Sequence, residues 1–162
     1  MIRVCFVCLG NICRSPQAEG LFIARIAEHG LSEHFAIDSA ATSAYHIGER
    51  PDARTLATSR RHGVELPSRG RQFVASDFAR FDYVVAMDQS NAANLLKIAP
   101  DAAAAAKISL LRSWDPDADG DEVPDPYYGG EDGFERVFAI CDAGARGLLD
   151  ALVRRHGLTP SG

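Results

Sequence analysis

The chain has 162 residues, 46% hydrophobic and 24% charged, which is the composition of one globular domain and excludes a disordered chain. Its 17 Lys and Arg residues against 22 Asp and Glu residues give a formal net charge of −5, which excludes a general attraction to nucleic acid or to an anionic membrane. Apolar runs are too short for a membrane span or a secretory signal, so we expect a cytoplasmic protein whose four cysteines are thiols.

Predicted strands and helices alternate along the chain. Apolar runs at 2–7, 35–39, 83–87 and 108–111 are typical of buried strands. Helical spacing of apolar residues predicts helices from Ser15 to just before Gly30, over 52–62, over 88–98 and over about 131–155, with a weaker one at 102–107. The alternation indicates a mainly parallel sheet covered on both faces, in one domain over 1–157 with a disordered tail at 158–162.

The loop after the first predicted strand carries the clearest chemical signal. Five residues separate Cys8 from Arg14, and Ser15 can cap the helix that follows. Gly10 permits a tight path and Asn11 tolerates a left-handed conformation, so the backbone N–H groups of the loop can form an anion-binding nest. Arg14 matches two phosphate oxygens, and a thiol beside a helix N-terminus and a cation ionises readily. The pattern therefore predicts that Cys8 is a nucleophile facing a bound phosphate group.

Two motifs that could bind a metal ion are not favoured. Cys5 and Cys8 have Cys-x-x-Cys spacing, but they lie in a predicted strand and lack a second pair of ligands, so neither zinc nor thioredoxin-like chemistry is expected. The segment 115–120 resembles the first half of a calcium-binding EF-hand loop, but Pro126 occupies the position that requires Glu. We expect no metal and no cofactor, and we place Cys5 and Cys141 in the core.

The segment 7–16, VCLGNICRSP, resembles the phosphate-binding loop of the low-molecular-weight protein tyrosine phosphatases almost residue for residue. The resemblance continues in DSAATS at 38–43, RHG at 61–63, FDY at 81–83, MDQSN at 87–91 and DPYYG at 125–129, and it covers essentially the whole chain. It implies an α/β three-layer sandwich with a four-stranded parallel sheet, order 2-1-3-4, and helices on both faces.

The same resemblance implies a role for each site residue. Cys8 would attack phosphorus and form a phosphocysteine, and Ser15 would donate a hydrogen bond to its sulfur. Asp125, which the residues alone cannot distinguish from five other carboxylates in its loop, would act as general acid and then general base. Asn11 would hold the shape of the loop. The implied phosphate-binding residues are Leu9, Gly10, Asn11, Ile12, Cys13 and Arg14.

The substrate implied by the resemblance is phosphotyrosine. An aryl phosphate needs a deep slot with aromatic walls, which Tyr45 and Tyr127 would supply, with Leu9 and Ile12 at its mouth. Relatives that act on phosphoarginine carry Thr where this chain has Ile12. We expect phosphotyrosine proteins as partners, phosphate, sulfate or vanadate as ligands, and a monomer.

Two positions raise further expectations. Many relatives carry a His where this chain has Ser68, and that His hydrogen-bonds the loop Asn; here Ser68 or a water would have to replace it, holding Asn11 more loosely. In the family, the thiol that corresponds to Cys13 can pair with the nucleophile under oxidation, so we expect a reversible Cys8–Cys13 disulfide. The alternative is that Cys13 is only a packed loop residue.

Two other functions fit part of the pattern. One class of arsenate reductase resembles this fold and shares the oxyanion loop, but it needs further thiols as a relay, and no cysteine lies between Cys13 and Cys141. A non-catalytic oxyanion-binding module would need the loop but neither the thiol nor the acid. Both are weaker interpretations than a phosphatase.

Overall fold

The computed structural model describes residues 1–127 and 130–160 of the chain. Its four strands are β1 (Ile2–Cys8), β2 (Phe35–Ala41), β3 (Tyr83–Ala86) and β4 (Ile108–Leu110). They form one parallel sheet in the order β2-β1-β3-β4, as predicted. The helices are α1 (Arg14–Glu28), α2 (Ala53–Arg61), α3 (Gln89–Ile98), α4 (Ala102–Ala105) and α5 (Glu131–His156). Three short 3₁₀ turns that we did not predict lie at Ser32–His34, Ala75–Ala79 and Leu111–Trp114.

Strand β1 lies at the centre of the sheet and is apolar on both faces, as a strand covered by two layers must be. Val4 and Phe6 point into one core cluster, which they share with residues of α1 and α5. Cys5 and Val7, the alternate residues, point into the other cluster, with residues of the 75–79 turn, α3 and α4. Both Cys5 and Cys141 are fully buried, as predicted for core residues.

The first helix begins one residue earlier than predicted. Cys13 is its N-cap residue and makes no side-chain cap hydrogen bond. The prediction that Ser15 caps this helix was wrong, because the Ser15 hydroxyl instead lies against Cys8 and Asn11. Helix α3 begins as expected, with an Asp88 carboxylate oxygen accepting from the Asn91 amide at 2.7 Å.

The loops at the carboxyl edge of the sheet are joined to one another by backbone hydrogen bonds. Thr42 N donates to Cys8 O at 2.9 Å, so the segment after β2 lies beside the end of β1. Met87 N donates to Val7 O at 3.1 Å and accepts, through its carbonyl, a bond from Val123 N at 2.8 Å. Segments that are distant in sequence therefore meet at the edge where ligands bind in parallel sheets.

The chain remains attached to the core beyond α5. Leu158 packs against the larger core cluster, and Thr159 O lies 3.0 Å from His34 Nε2. The last two residues of the predicted disordered tail, 161 and 162, lie outside the described residues, as do Tyr128 and Gly129 of the DPYYG motif. In the described part of the chain, no helix has the length and apolarity needed to cross a membrane.

Candidate active site

Cys8 ends β1 and begins a loop, residues 8–14, which we call the phosphate loop. Its side chain is 2% exposed. Its Sγ accepts a hydrogen bond from Asn11 N at 3.2 Å and lies 3.0 Å from Ser15 Oγ. Asn11 Nδ2 donates to Ser15 Oγ at 2.8 Å, and the same hydroxyl lies 3.4 Å from Ala40 O, so the sulfur and this carbonyl are the two acceptors within its reach. When Cys8 is a thiolate, the Asn11 amide and the Ser15 hydroxyl are both placed to donate to its sulfur.

Asn11 holds the turn of the phosphate loop. Its φ is 57°, and among the described residues it is the one non-glycine with a positive φ, the conformation we expected of it. Besides Ser15, its Nδ2 donates to Ser39 Oγ at 3.0 Å, and its Oδ1 accepts from Arg71 N at 3.2 Å. Three hydrogen bonds from one buried side chain offset the cost of the left-handed backbone.

Behind Asn11, the buried carboxylate of Glu19 connects the loop to Ser68. Ser39 Oγ donates to Glu19 Oε1 at 2.7 Å, and Ser68 Oγ donates to Glu19 Oε2 at 2.6 Å. Burial raises the pKa of Glu19, and these two hydrogen bonds act in the opposite direction. The predicted contact between Ser68 and Asn11 is therefore replaced by an indirect one, because the short Ser68 side chain bonds the carboxylate that lies between them.

Arg14, the last residue of the phosphate loop, is buried and its charge is compensated. Its Nη1 donates to Asp88 Oδ2 at 2.6 Å and to Val123 O at 3.1 Å, and its Nη2 lies 3.7 Å from Asp125 Oδ2. Burial acts to lower the pKa of Arg14, but attraction to Cys8 and to Asp88 outweighs it and raises that pKa. Arg14 therefore presents a fixed cation beside the Cys8 sulfur.

Asp125 lies across the cleft in the segment 122–127, which we call the acid loop. Its side chain is 43% exposed. Its Oδ1 accepts from Tyr127 N at 3.0 Å, while its Oδ2 faces Arg14. Other carboxylates around this loop are engaged elsewhere: Asp119 pairs with Arg112, and Asp121 and Glu122 bond Gln89. The structure thus separates Asp125 from carboxylates that the residues alone could not distinguish from it.

The cleft between the two loops is walled by aromatic rings. It is lined by Cys8, Leu9, Gly10, Ile12, Cys13, Arg14, Tyr45, His46, Asp125 and Tyr127. Sequence reasoning did not place His46 there, although its position beside Tyr45 was a signal. The His46 ring lies 6.4 Å from the Tyr127 ring, and its Nδ1 lies 2.8 Å from Glu49 Oε2. A Cβ on Gly10 would approach His46 Cδ2 to 3.0 Å, so the loop glycine makes room for this ring.

Cys13 is a second thiol of the cleft, with a different environment. It is buried and packs with Ile12 and Phe134. Burial raises the pKa of Cys13 to about 12, so this thiol is protonated near neutral pH. The Cys8–Cys13 disulfide stays a prediction; all four cysteines are free thiols in the structure.

The segment with partial EF-hand spacing is organised by its own contacts. Asp117 N donates to Asp115 Oδ1 at 2.9 Å, and the Arg112 guanidinium pairs with Asp119. Among residues 1–127 and 130–160, no group of three or more His, Cys, Asp or Glu side chains is placed to hold a metal ion.

Comparisons with known proteins agree over nearly the full chain. Residues 3–157 match the family model described as low molecular weight phosphotyrosine protein phosphatase. A low molecular weight protein-tyrosine-phosphatase of Streptomyces coelicolor is 51% identical over 152 residues, 93% of each chain. The human low molecular weight phosphotyrosine protein phosphatase is 43% identical over 148 residues, 91% of this chain and 93% of its own. The crystal structure of an Entamoeba histolytica protein tyrosine phosphatase with Hepes in the active site aligns with a TM-score of 0.92 at 39% identity, covering 98% of this chain and 100% of that one.

Proposed function

This chain belongs to the low molecular weight protein tyrosine phosphatase family and is a phosphatase, and from this premise we propose that Cys8, Arg14, Ser15 and Asp125 hydrolyse aryl phosphates through a phosphocysteine. The observation that carries the proposal is the placement of the Cys8 sulfur. It accepts a hydrogen bond from Asn11 N and lies beside Ser15 Oγ, at the floor of a cleft whose sides are a buried guanidinium and the Asp125 carboxyl.

In the first step, the Cys8 thiolate attacks phosphorus. The S–P bond forms as the P–O ester bond breaks, and the departing phenolic oxygen takes the proton of the Asp125 carboxyl. Arg14 and the N–H groups of the phosphate loop stabilise the charge on the non-bridging oxygens. Because Arg14 is held by Asp88 and Val123 before substrate binds, little reorganisation accompanies the step.

In the second step, the Asp125 carboxylate takes a proton from water, and that water attacks phosphorus. The P–S bond breaks, inorganic phosphate is released, and Cys8 leaves as a thiolate. Ser15 Oγ and Asn11 N, which already contact the sulfur, stabilise the leaving anion. Since the cycle needs an ionised Cys8 and a protonated Asp125, we expect kcat/KM to follow a bell-shaped dependence on pH.

The substrate we propose is phosphotyrosine in proteins. Tyr45 and Tyr127 flank the cleft, and Ile12 lines it where phosphoarginine-specific relatives carry Thr. The Entamoeba relative holds Hepes, a sulfonate, in its active site, which supports binding of phosphate, sulfate and vanadate here. We also propose the cytoplasmic location expected from the sequence.

Arsenate reduction through a thiol relay has less support. Apart from Cys8 and Cys13, the remaining thiols are Cys5 and Cys141, which are fully buried in the core. Burial also raises the pKa of Cys141 to about 12. A buried, protonated thiol is poorly suited to carry a disulfide outward.

The proposal is tested by trapping the intermediate. The enzyme is mixed with phosphotyrosine peptide, quenched in acid within milliseconds, digested and analysed by mass spectrometry. We expect phosphate on Cys8, turnover that is insensitive to chelator, and no adduct in Cys8→Ser. Turnover without an adduct on Cys8, or an adduct on another residue, would overturn the proposed mechanism.

A further inference from the structure

Arg54, in the first turn of α2, lies between the two loops of the active site and contacts both. Its Nε and Nη2 each donate to the Asp52 carboxylate at 3.1 Å. Its Nη2 also donates to Tyr127 O at 2.9 Å. One planar guanidinium therefore bonds a residue joined to the phosphate loop and a residue of the acid loop.

On one side, Asp52 is tied directly to the phosphate loop. Asp52 N donates to Ile12 O at 2.8 Å, so the N-cap residue of α2 is hydrogen-bonded to the backbone of the phosphate loop. Burial acts to raise the pKa of Asp52, but its hydrogen bonds with Arg54 outweigh that effect and hold the pKa below its usual range. Asp52 is thus a carboxylate at the pH of catalysis, and the pair with Arg54 is ionic.

On the other side, Tyr127 connects Arg54 to the general acid. The Arg54 guanidinium lies 5.5 Å from the centre of the Tyr127 ring and 4.6 Å from that of Phe134. Tyr127 N in turn donates to Asp125 Oδ1 at 3.0 Å. Arg54 therefore bonds the carbonyl of Tyr127, the same residue whose backbone N–H donates to the Asp125 carboxyl.

We propose that Arg54 is a positioning residue that orients Asp125 toward the leaving group by tying the acid loop to the phosphate loop. This inference rests on the proposed function, since it assigns Arg54 a role only through the proton that Asp125 transfers. The half-exposed Asp125 side chain needs such external support, because a proton donor displaced by a fraction of an ångström loses its alignment with the leaving oxygen. Arg54 itself does not line the cleft with Cys8 and is not expected to contact phosphate.

The test compares kcat/KM across aryl phosphates whose phenols differ in acidity. A poor leaving group such as phenol depends on protonation by Asp125, whereas an acidic nitrophenol departs almost without it. Arg54→Ala should lower kcat/KM for phenyl phosphate by about tenfold, part of the ~10²–10⁴-fold that general acid catalysis contributes. For a dinitrophenyl phosphate the loss should be under about twofold, because little proton transfer is then required. Inhibition by vanadate should be unchanged.

Two further variants separate positioning from a general structural effect. Arg54→Lys should recover part of the lost kcat/KM for phenyl phosphate, since an ammonium can still reach one acceptor but cannot form the bidentate pair with Asp52. In an Asp125→Asn background, Arg54→Ala should add no further sensitivity to the leaving group, because the group it positions can no longer give up a proton. Arg61→Ala is the matched control: it removes an arginine of the same helix whose bonds run to Glu135 and Thr58.

The outcomes distinguish the inference from the proposed function. Equal losses for all leaving groups, or weaker vanadate inhibition, would show that Arg54 merely maintains the phosphate loop and would overturn the inference. Equal leaving-group sensitivity in Arg61→Ala would overturn it too. If Asp125→Asn itself showed no greater leaving-group sensitivity than the unaltered enzyme, the assignment of Asp125 as general acid would fail instead.

Discussion

The phosphate loop and the acid loop face each other across one cleft, but they are held in different ways. In the phosphate loop, Cys8, Asn11 and Arg14 are buried, and hydrogen bonds reach them from α1, β2 and the segment after Ser68. In the acid loop, Asp125 is 43% exposed and is held by the Tyr127 amide and a 3.7 Å approach to Arg14.

The difference matches the role that we propose for each loop. Phosphate binding and charge stabilisation require donors fixed before substrate arrives, so the phosphate loop is rigidly supported. The proton transfer proposed for Asp125 requires a group that reaches a leaving oxygen in one step and a water in the next, and the Asp125 side chain is accordingly held at few points. Substitutions in the two loops should therefore have separable effects on binding, on chemistry and on stability.

The largest effect is expected from Cys8→Ser. A serine hydroxyl is a far weaker acid than a thiol, so the variant lacks an effective nucleophile. The hydrogen-bond donors of the phosphate loop remain. Activity should fall by a factor on the order of 10⁴ or more, the scale reached when a covalent nucleophile is removed. Steady-state turnover of an aryl phosphate measures it, and isothermal titration with phosphate checks that the site persists. Activity within tenfold of the unaltered enzyme would refute a nucleophilic role for Cys8.

Asp125→Ala should have the next largest effect and should sharpen the contrast between the loops. Both chemical steps should slow, by about 10²–10⁴-fold for a poor leaving group, because acid and base are lost together. Binding of phosphate should change little, since the phosphate loop keeps its own support. Turnover and the inhibition constant of phosphate are measured in parallel; a large loss of phosphate binding would mean that the loops are not separable.

Ser39→Ala tests whether support from behind the phosphate loop matters. This fully buried serine accepts from Asn11 and donates to Glu19, so its loss leaves a buried amide and a buried carboxylate each without one partner. We expect a loss of about 1–3 kcal/mol in the free energy of unfolding. Chemical denaturation measures the change. Ser113→Ala, which removes an exposed hydroxyl bonded to Leu110 O, is the control and should be nearly neutral; equal losses in both variants would count against the buried network.

The smallest effect concerns the pH dependence of stability, through Glu19. Burial raises the pKa of Glu19 in the folded protein above its pKa in the unfolded chain. The stability that the protonated side chain contributes is therefore fully present below the unfolded pKa, and it is lost as the pH rises through the folded pKa. The Gln side chain of Glu19→Gln does not ionise. The free energy of unfolding of this variant, relative to that of the unaltered protein, should therefore increase from about pH 4 upward. Denaturation at several pH values measures this difference. Parallel stability curves, or a difference of the opposite sign, would contradict it.

Local patterns were enough to predict the sheet and the centre of the site. The apolar run of β1, followed at once by Cys8, Gly10, Asn11 and Arg14, places a thiol and a cation on one loop, because all the signals are contiguous in the sequence. Strand order and the assignment of Asp125 came from resemblance, since nothing in the acid loop alone distinguishes one carboxylate from another. The 3₁₀ turns were missed because segments of three to five residues carry too little periodicity to be recognised.

Contacts between distant segments could not be predicted. Ser15 was expected to cap a helix, as serines before helices commonly do, but its hydroxyl lies beside the Cys8 sulfur instead. Ser68 or a water was expected to bond Asn11, but Ser68 bonds Glu19, which is connected to Asn11 through Ser39. Arg54 gave no local signal at all, because its partner Tyr127 is 73 positions further along the chain.

The most direct test of the account is a crystal structure of the enzyme with vanadate. We predict vanadium bonded to the Cys8 sulfur, equatorial oxygens held by Arg14 and the amides of the phosphate loop, and the Asp125 carboxyl beside the apical oxygen. A vanadate bound elsewhere, with the Cys8 side chain turned away into the apolar core, would contradict the central claim that this sulfur faces a preformed oxyanion site.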